Sequence, residues 1–223
     1  MKFRHEWKHE ITRSDMMTLR ARLRTVAKPE KHGIGGTYNI RSLYFDDFFN
    51  TALREKIDGV NMREKFRIRY YENDTSFIRL EKKGKINDLC NKQWIPISVL
   101  ETEKILANDI EWMQNDGREL VRELYLKMKN KGLRPKTIVD YTRDAFVFPA
   151  GNVRVTLDYN IRTGLQSVDF LNPDSTTIPA GDAPMILEVK WDEYLPDIIR
   201  DAVQLEGRRA AAFSKYAACR IYG

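Results

Sequence analysis

The stretch Arg63-Glu64-Lys65-Phe66-Arg67-Ile68-Arg69-Tyr70 constrains the fold more than any other part of the chain. Its composition and alternation read as a β-strand, in which successive side chains point to opposite faces. Arg63, Lys65, Arg67 and Arg69 therefore share one face, and Phe66, Ile68 and Tyr70 the other. Four like charges in a row repel one another, so this strand alone reads as a solvated basic surface. The pattern returns elsewhere, with acids interspersed. Glu6, Lys8 and Glu10 share a face, as do Arg79, Glu81 and Lys83. Arg154, Thr156 and Asp158 lie opposite Val153, Val155 and Leu157, and Glu188 and Lys190 lie opposite Leu187 and Val189. Tyr141 and Arg143 add another polar face, and Lys92 another cation. One charged strand face is a surface; five or six in one chain need a shared explanation.

The remaining pattern supplies the frame. Strands are expected near 3–12, 38–46, 63–71, 76–84, 90–97, 136–148, 152–162 and 184–192. Helices are expected near 15–27 with Ser14 as N-cap, 49–57, from Ser98 with its capping box to Glu101, and 118–130. Beyond Pro196, helical character runs intermittently to about 218. Strands joined mostly by short turns favour an α+β fold around a closed antiparallel β-barrel of about eight strands. Apolar strand faces then point outward under the inserted and C-terminal helices, and the charged faces line a lumen. A lumen full of arginine and lysine is unfavourable by itself, because buried like charges lose solvation. A regularly spaced polyanion neutralises it. Arginine matches phosphate oxygens bidentately, lysine acts as a point charge, and interspersed carboxylates suit a divalent metal. The expectation is a tunnel for a linear phosphate chain.

Composition bounds the alternatives. The 223 residues suit one domain, read here as residues 1–223, and 38 Lys and Arg against 32 Asp and Glu leave a net charge of +6. Cys90 and Cys219 form no CxxC pair, and His5, His9 and His32 supply no zinc spacing. No secretory h-region and no run of ~18 apolar residues occurs, so a cytoplasmic protein without a membrane span is expected. No P-loop or kinase signature is present, and no motif for specific nucleic-acid recognition.

Taken in order, several short motifs resemble the catalytic domain of the vacuolar transporter chaperone (VTC) polyphosphate polymerases, within the triphosphate tunnel metalloenzyme (CYTH-like) superfamily. They are Glu6-Trp7-Lys8-His9-Glu10, Arg41-Ser42-Leu43-Tyr44-Phe45-Asp46, Lys65-Phe66-Arg67-Ile68-Arg69-Tyr70 and Leu80-Glu81-Lys82-Lys83. Tyr141-Thr142-Arg143, Val153-Arg154-Val155-Thr156-Leu157-Asp158, Leu187-Glu188-Val189-Lys190 and Ser214-Lys215-Tyr216 follow. The wider superfamily opens with Glu-x-Glu-x-Lys. The Glu6-x-Lys8-x-Glu10 found here favours the VTC-like branch over thiamine triphosphatase or class IV adenylyl cyclase. The SPX domain and membrane spans of the eukaryotic complexes have no counterpart in this sequence.

The resemblance implies roles. Arg67 and Arg69 match the triphosphate-binding pair, and Lys8, Lys83, Arg143, Arg154 and Lys215 match further catalytic cations. Lys92, Lys190, Tyr44 and Lys65 are substrate-binding candidates. Glu188 is the candidate ligand for Mn2+ or Mg2+, with Glu6, Glu10, Glu81 and Asp158 assisting it or balancing charge. The implied partners are a nucleoside triphosphate, ATP foremost, and inorganic polyphosphate. Polyphosphate synthesis leads; a tripolyphosphatase or nucleoside triphosphatase, and a non-catalytic polyphosphate-binding module, share the same residues.

Overall fold

A computed structural model describes residues 4–86, 89–205, 207 and 213–221 of the chain. In order, the elements are β1 (His5–Ile11), α1 (Arg13–Val26), β2 (Lys28–Pro29), β3 (Thr37–Asp46), α2 (Thr51–Ile57), β4 (Arg63–Tyr71), β5 (Asp74–Ile86) and β6 (Leu89–Ile97). Then come α3 (Val99–Leu106), α4 (Glu119–Lys131), β7 (Arg134–Phe148), β8 (Val153–Thr163), β9 (Ile178–Pro179), β10 (Met185–Trp191), α5 (Asp197–Val203) and α6 (Lys215–Cys219). The expected strands are all present, apart from residue 3, which lies outside the described residues. The helical stretch expected after Pro196 resolves into α5 and α6; between them, residues 206 and 208–212 lie outside the described residues.

Local chemistry sets the helix ends. Ser98 caps α3 through the expected reciprocal box with Glu101. Helix α1 begins two residues earlier than expected: Thr12 is its N-cap, because Asp15 at the third helical position reaches back to the Thr12 amide. Helix α4 stops at Gly132, whose φ of +65° suits a residue without Cβ.

Eight strands form one antiparallel path in the order β1-β10-β8-β7-β3-β4-β5-β6, with β2 added to β7 and β9 to β8. The path curls into a half-barrel. Its two edge strands approach each other, but among the described residues a single bridge, Arg4 to Cys90, joins them. The fully closed barrel expected from sequence is therefore corrected. Alternation within strands marks which faces are apolar, whereas closure depends on how the two edges meet, and here they meet at one point.

Two apolar clusters cover the convex side. Helices α3 and α4 bring Ile105, Leu124 and Met128 onto Leu43, Phe66, Ile68 and Leu80. Helices α1 and α5 bring Leu19, Leu23 and Ile199 onto Val155, Leu157, Leu187 and Val189. A third cluster sits on the concave side, where Tyr216 and Cys219 of α6 meet Tyr44, Val139 and Ile161. The C-terminal helix thus packs inside the curl, which corrects the expectation that all helices lie outside. Tyr216 stacks on Tyr44 and donates to Asp46 Oδ2 at 2.6 Å, and this contact turns the short helix inward.

Leu124 is fully buried in the larger convex cluster. Leu124→Ala is expected to lower unfolding free energy by about 2–5 kcal/mol, read from urea denaturation. A loss under ~1 kcal/mol would show that α4 is not part of the cooperative core.

Candidate functional site

The inward-facing residues of β1, β3–β8 and β10 surround one cavity of about 1150 Å³, with α6 adding Ser214 and Lys215. The twelve residues given catalytic, substrate-binding or metal roles from sequence all line it: Lys8, Tyr44, Lys65, Arg67, Arg69, Lys83, Lys92, Arg143, Arg154, Glu188, Lys190 and Lys215. Among the described residues the lining carries fifteen lysines and arginines against five carboxylates. The whole chain has a net charge of only +6, so the residues outside this lining sum to a negative charge.

The cations are organised around buried carboxylates, each outnumbered. Glu81, 1% exposed, accepts from Arg67 Nε at 2.7 Å and pairs with Lys92 Nζ at 2.6 Å, with Arg69 Nη1 at 3.9 Å. Asp158 receives Arg143 through two hydrogen bonds of 2.6 and 2.7 Å and pairs with Lys215 Nζ at 2.5 Å. Glu6 and Glu188 form the third centre. Lys8 lies 2.9 Å from Glu6 and 3.9 Å from Glu188, and Lys190 lies 2.7 Å from Glu188 and 3.4 Å from Glu6. Lys83 approaches Glu6 at 3.4 Å, and Arg143 approaches Glu188 at 3.9 Å. Sheet register makes this possible, since Lys8 faces Glu188 and Glu6 faces Lys190 across β1 and β10.

Phenols and hydroxyls orient the guanidinium groups without neutralising them. Arg67 donates to Tyr44 at 2.7 Å, and Arg69 to Ser42 at 2.9 Å and Tyr141 at 3.0 Å. Arg154 donates to Tyr38 at 2.7 Å and to Glu30 at 2.8 Å. Lys65 lies over the Tyr216 ring, 5.1 Å from its centroid. Each centre is therefore preorganised and still short of negative charge, as an anion-binding site requires.

Tyr38 and Glu30, which hold Arg154, were missed from sequence, as were Lys56 and Lys85 of the lining. Tyr38 shares the two-residue period of Tyr44, a signal that could have found it. Glu30 comes from an irregular segment, where periodicity carries no facing information. Of the four acids weighed as assisting, Glu6 lines the cavity, Glu81 and Asp158 are buried beside its cations without lining it, and Glu10 is exposed and absent from the lining.

Titration follows the same crowding. Burial pushes Glu188 up, but Lys190 and Lys8 outweigh it and hold the carboxyl well below its usual range. Burial likewise opposes ionisation of Asp158, yet Arg143 and Lys215 bring it down to about 2. Lys65 is lowered to about 7 by burial and by Lys56 and Arg63. Lys92 is also lowered to about 7, by burial and by Arg67 and Arg69, which already neutralise its partner Glu81.

A divalent cation fits one part of this lining. Glu6 and Glu188 lie within hydrogen-bonding reach of each other and offer hard carboxylate oxygens. A group of three or more His, Cys, Asp or Glu side chains does not occur among the described residues. Two carboxylates suffice for an ion that keeps several waters and takes the rest of its shell from substrate phosphates.

Comparison with known proteins gives the following. The family described as VTC domain matches residues 3–221. The PH1012 protein of Pyrococcus horikoshii OT3 has a similar fold, with a TM-score of 0.51 and 13% identity over 95% of this chain and 96% of that one. A Bacillus halodurans protein described as a candidate adenylate cyclase superposes with a TM-score of 0.52 and 13% identity, over 85% of this chain and 80% of that one. At that identity the likeness is one of fold. Among curated proteins no match was found. Among the described residues no helix is long and apolar enough to cross a membrane.

The depressed lysines predict a proton signature. Both are about half neutral near pH 7, and a polyanion seated beside them would restore their charge. Tripolyphosphate binding at pH 8 is expected to take up protons, with the uptake fading toward pH 6, read by titration calorimetry in buffers of different ionisation enthalpy. The same two groups make stability rise between about pH 7 and the ordinary lysine range, because the unfolded chain holds more protons there. Absence of proton uptake at pH 8 would contradict the lowered values.

Proposed function

The chain belongs to the VTC domain family, and on that premise we propose that it is a metal-dependent polyphosphate polymerase. It transfers the terminal phosphoryl group of a nucleoside triphosphate, ATP foremost, to an inorganic polyphosphate chain. The observation that carries this reading is the convergence of Arg67, Arg69, Lys83, Arg143, Arg154 and Lys215 on one cavity. Their partner carboxylates are too few to neutralise them.

In the proposed reaction an oxygen of the chain's terminal phosphate attacks the γ-phosphorus of the donor. The bond from that phosphorus to the β–γ bridging oxygen breaks, and a nucleoside diphosphate departs. The nucleophile is already anionic at neutral pH, so no activated serine, cysteine or histidine is required. The protein's work is alignment of two mutually repelling polyanions and stabilisation of charge on the transferring group. Arg67 and Arg69, preset by Tyr44, Ser42 and Tyr141, cradle the donor phosphates. Arg143 and Lys215 approach from the α6 side and offset repulsion between donor and acceptor. Lys8, Lys83, Lys92, Lys190 and Arg154 extend the basic lining along which a chain can be held. Lys65 adds a charge that the bound polyanion would itself restore. Glu188, with Glu6, would hold Mn2+ or Mg2+, which supplies Lewis-acid neutralisation of phosphate charge. The two free cysteines, Cys90 and Cys219, fit a reducing cytoplasmic compartment.

Incubated with ATP and Mn2+, the protein is expected to form long phosphate chains, resolved by gel electrophoresis. Arg67→Ala should lower kcat by about 10²–10³, and Glu188→Gln should remove most metal-dependent turnover. Release of orthophosphate without chains would replace the polymerase reading by hydrolysis. Tight tripolyphosphate binding without turnover would replace it by a binding module.

A further inference from the structure

Along the concave face of β4, β5 and β6 the lining changes character toward one rim. On β4, Arg67 and Arg69 give way to Tyr71; on β5, Glu81 and Arg79 give way to Phe77; and β6 adds Trp94, level with Glu81. Tyr71, Phe77 and Arg79 line the cavity, and Trp94 lies outside that lining, against Arg79. The Arg79 guanidinium carbon lies 4.5 Å from the Trp94 ring centroid, 4.9 Å from that of Phe77 and 5.2 Å from that of Tyr71. Phe77 and Trp94 meet edge to face, with centroids 6.3 Å apart, yet they stay 41% and 46% exposed.

Arg79 differs from four other lumenal arginines. Arg67, Arg69, Arg143 and Arg154 each lie beside a carboxylate. Arg79 has only π-faces as partners among the described residues, and its Nε is buried with no hydrogen-bond partner. A guanidinium set among aromatic rings is itself a stacking surface. Two acids, Glu72 and Asp74, line the same rim. They disfavour a phosphate there and can accept from an exocyclic amine or a ribose hydroxyl.

We infer that Tyr71, Phe77, Arg79 and Trp94 form a docking platform for the base of the donor nucleotide. This rests on the proposed use of a nucleoside triphosphate by the same cavity. The spacing fits. From Arg67 to Tyr71 along β4 is about 13 Å at the strand rise, comparable to a ribose carrying an extended triphosphate. A donor with its phosphates on Arg67 and Arg69 therefore leaves its base among these rings. Stacking reads ring area rather than hydrogen-bond pattern, because every base has a π-face. Purine nucleotides should thus be preferred over pyrimidine nucleotides, with ATP and GTP close together.

Binding of ATP, UTP and inorganic tripolyphosphate to the full chain, measured by titration calorimetry, tests this. In the wild type, ATP is expected to bind more tightly than UTP. The double variant Phe77→Ala/Trp94→Ala should lose ATP affinity about tenfold or more while keeping that for tripolyphosphate. Trp94→Phe made alone, which keeps an aromatic face, should retain most of the wild-type ATP affinity. Unchanged ATP affinity in the double variant overturns the platform, and so does an equal loss for ATP and tripolyphosphate, which marks a structural role. If the wild-type protein binds no tripolyphosphate, the triphosphate reading of the cavity fails first and the platform falls with it.

Discussion

The structure depends on a deliberate shortage of negative charge in its interior. Glu81 is shared by Arg67, Arg69 and Lys92, Asp158 by Arg143 and Lys215, and the Glu6–Glu188 pair by Lys8, Lys83, Lys190 and Arg143. Removing these carboxylates would leave like charges in a partly desolvated space, a cost of several kcal/mol per ion. Adding carboxylates until the cavity was neutral would leave nothing for an anion to satisfy. The observed balance holds each cation in place and keeps a surplus. The lowered titration points of Lys65 and Lys92 express that surplus as protons the free site cannot fully retain.

The same alternation that loads the concave face builds the core. Phe66, Ile68 and Leu80 are buried because their neighbours Lys65, Arg67, Arg69 and Glu81 point the other way. A register slip by one residue would place cations beneath α3 and α4 and apolar groups in the lumen. Register is thus defended on both sides, by hydrophobic burial outside and by ion pairing inside. That double constraint allows a sheet with an incomplete seam to keep its charged residues in fixed positions. Where alternation is interrupted, a bulge restores the sense. Pairing of β7 with β8 shifts between Asp140 and Thr142, and Ile161 and Thr163 still face the concave cluster and α6 beyond it.

Much of this was legible in the residues. Two-residue periodicity reports facing directly, so the inward set from Lys8 to Lys190 could be read without coordinates. Capping chemistry placed α3 at Ser98. Ser14, the expected N-cap, lies inside α1, because the back-bond from Asp15 sets the start of the helix at Thr12. Closure was not legible, since it turns on how β1 and β6 meet, a property of shear and curl rather than of either strand. Glu30 enters the lumen from an irregular segment that carries no period. The inward seat of α6 was hidden for a similar reason: five residues span little more than one turn and show no apolar stripe.

That short helix shows how positioning reaches the site from outside it. Neither α2 nor α6 is long enough to persist alone in water. Asp46, 1% exposed and outside the cavity lining, holds both. Its Oδ1 accepts the Ala52 amide at 2.9 Å, where α2 begins, and its Oδ2 accepts the Tyr216 hydroxyl at 2.6 Å from α6. Arg220 adds a second tie by donating to Asn50 at 2.9 Å. Ser214 caps α6, and the next residue, Lys215, reaches Asp158 in the lumen. The place of one lumenal cation is thus set by a carboxylate that never faces the cavity. Burial and the Asp46 bond also hold the Tyr216 phenol protonated, its pKa raised above the ordinary range. The hydroxyl therefore remains a donor across the pH range in which the lumenal lysines change charge, so the α6 end of the site stays fixed while its occupancy by protons varies.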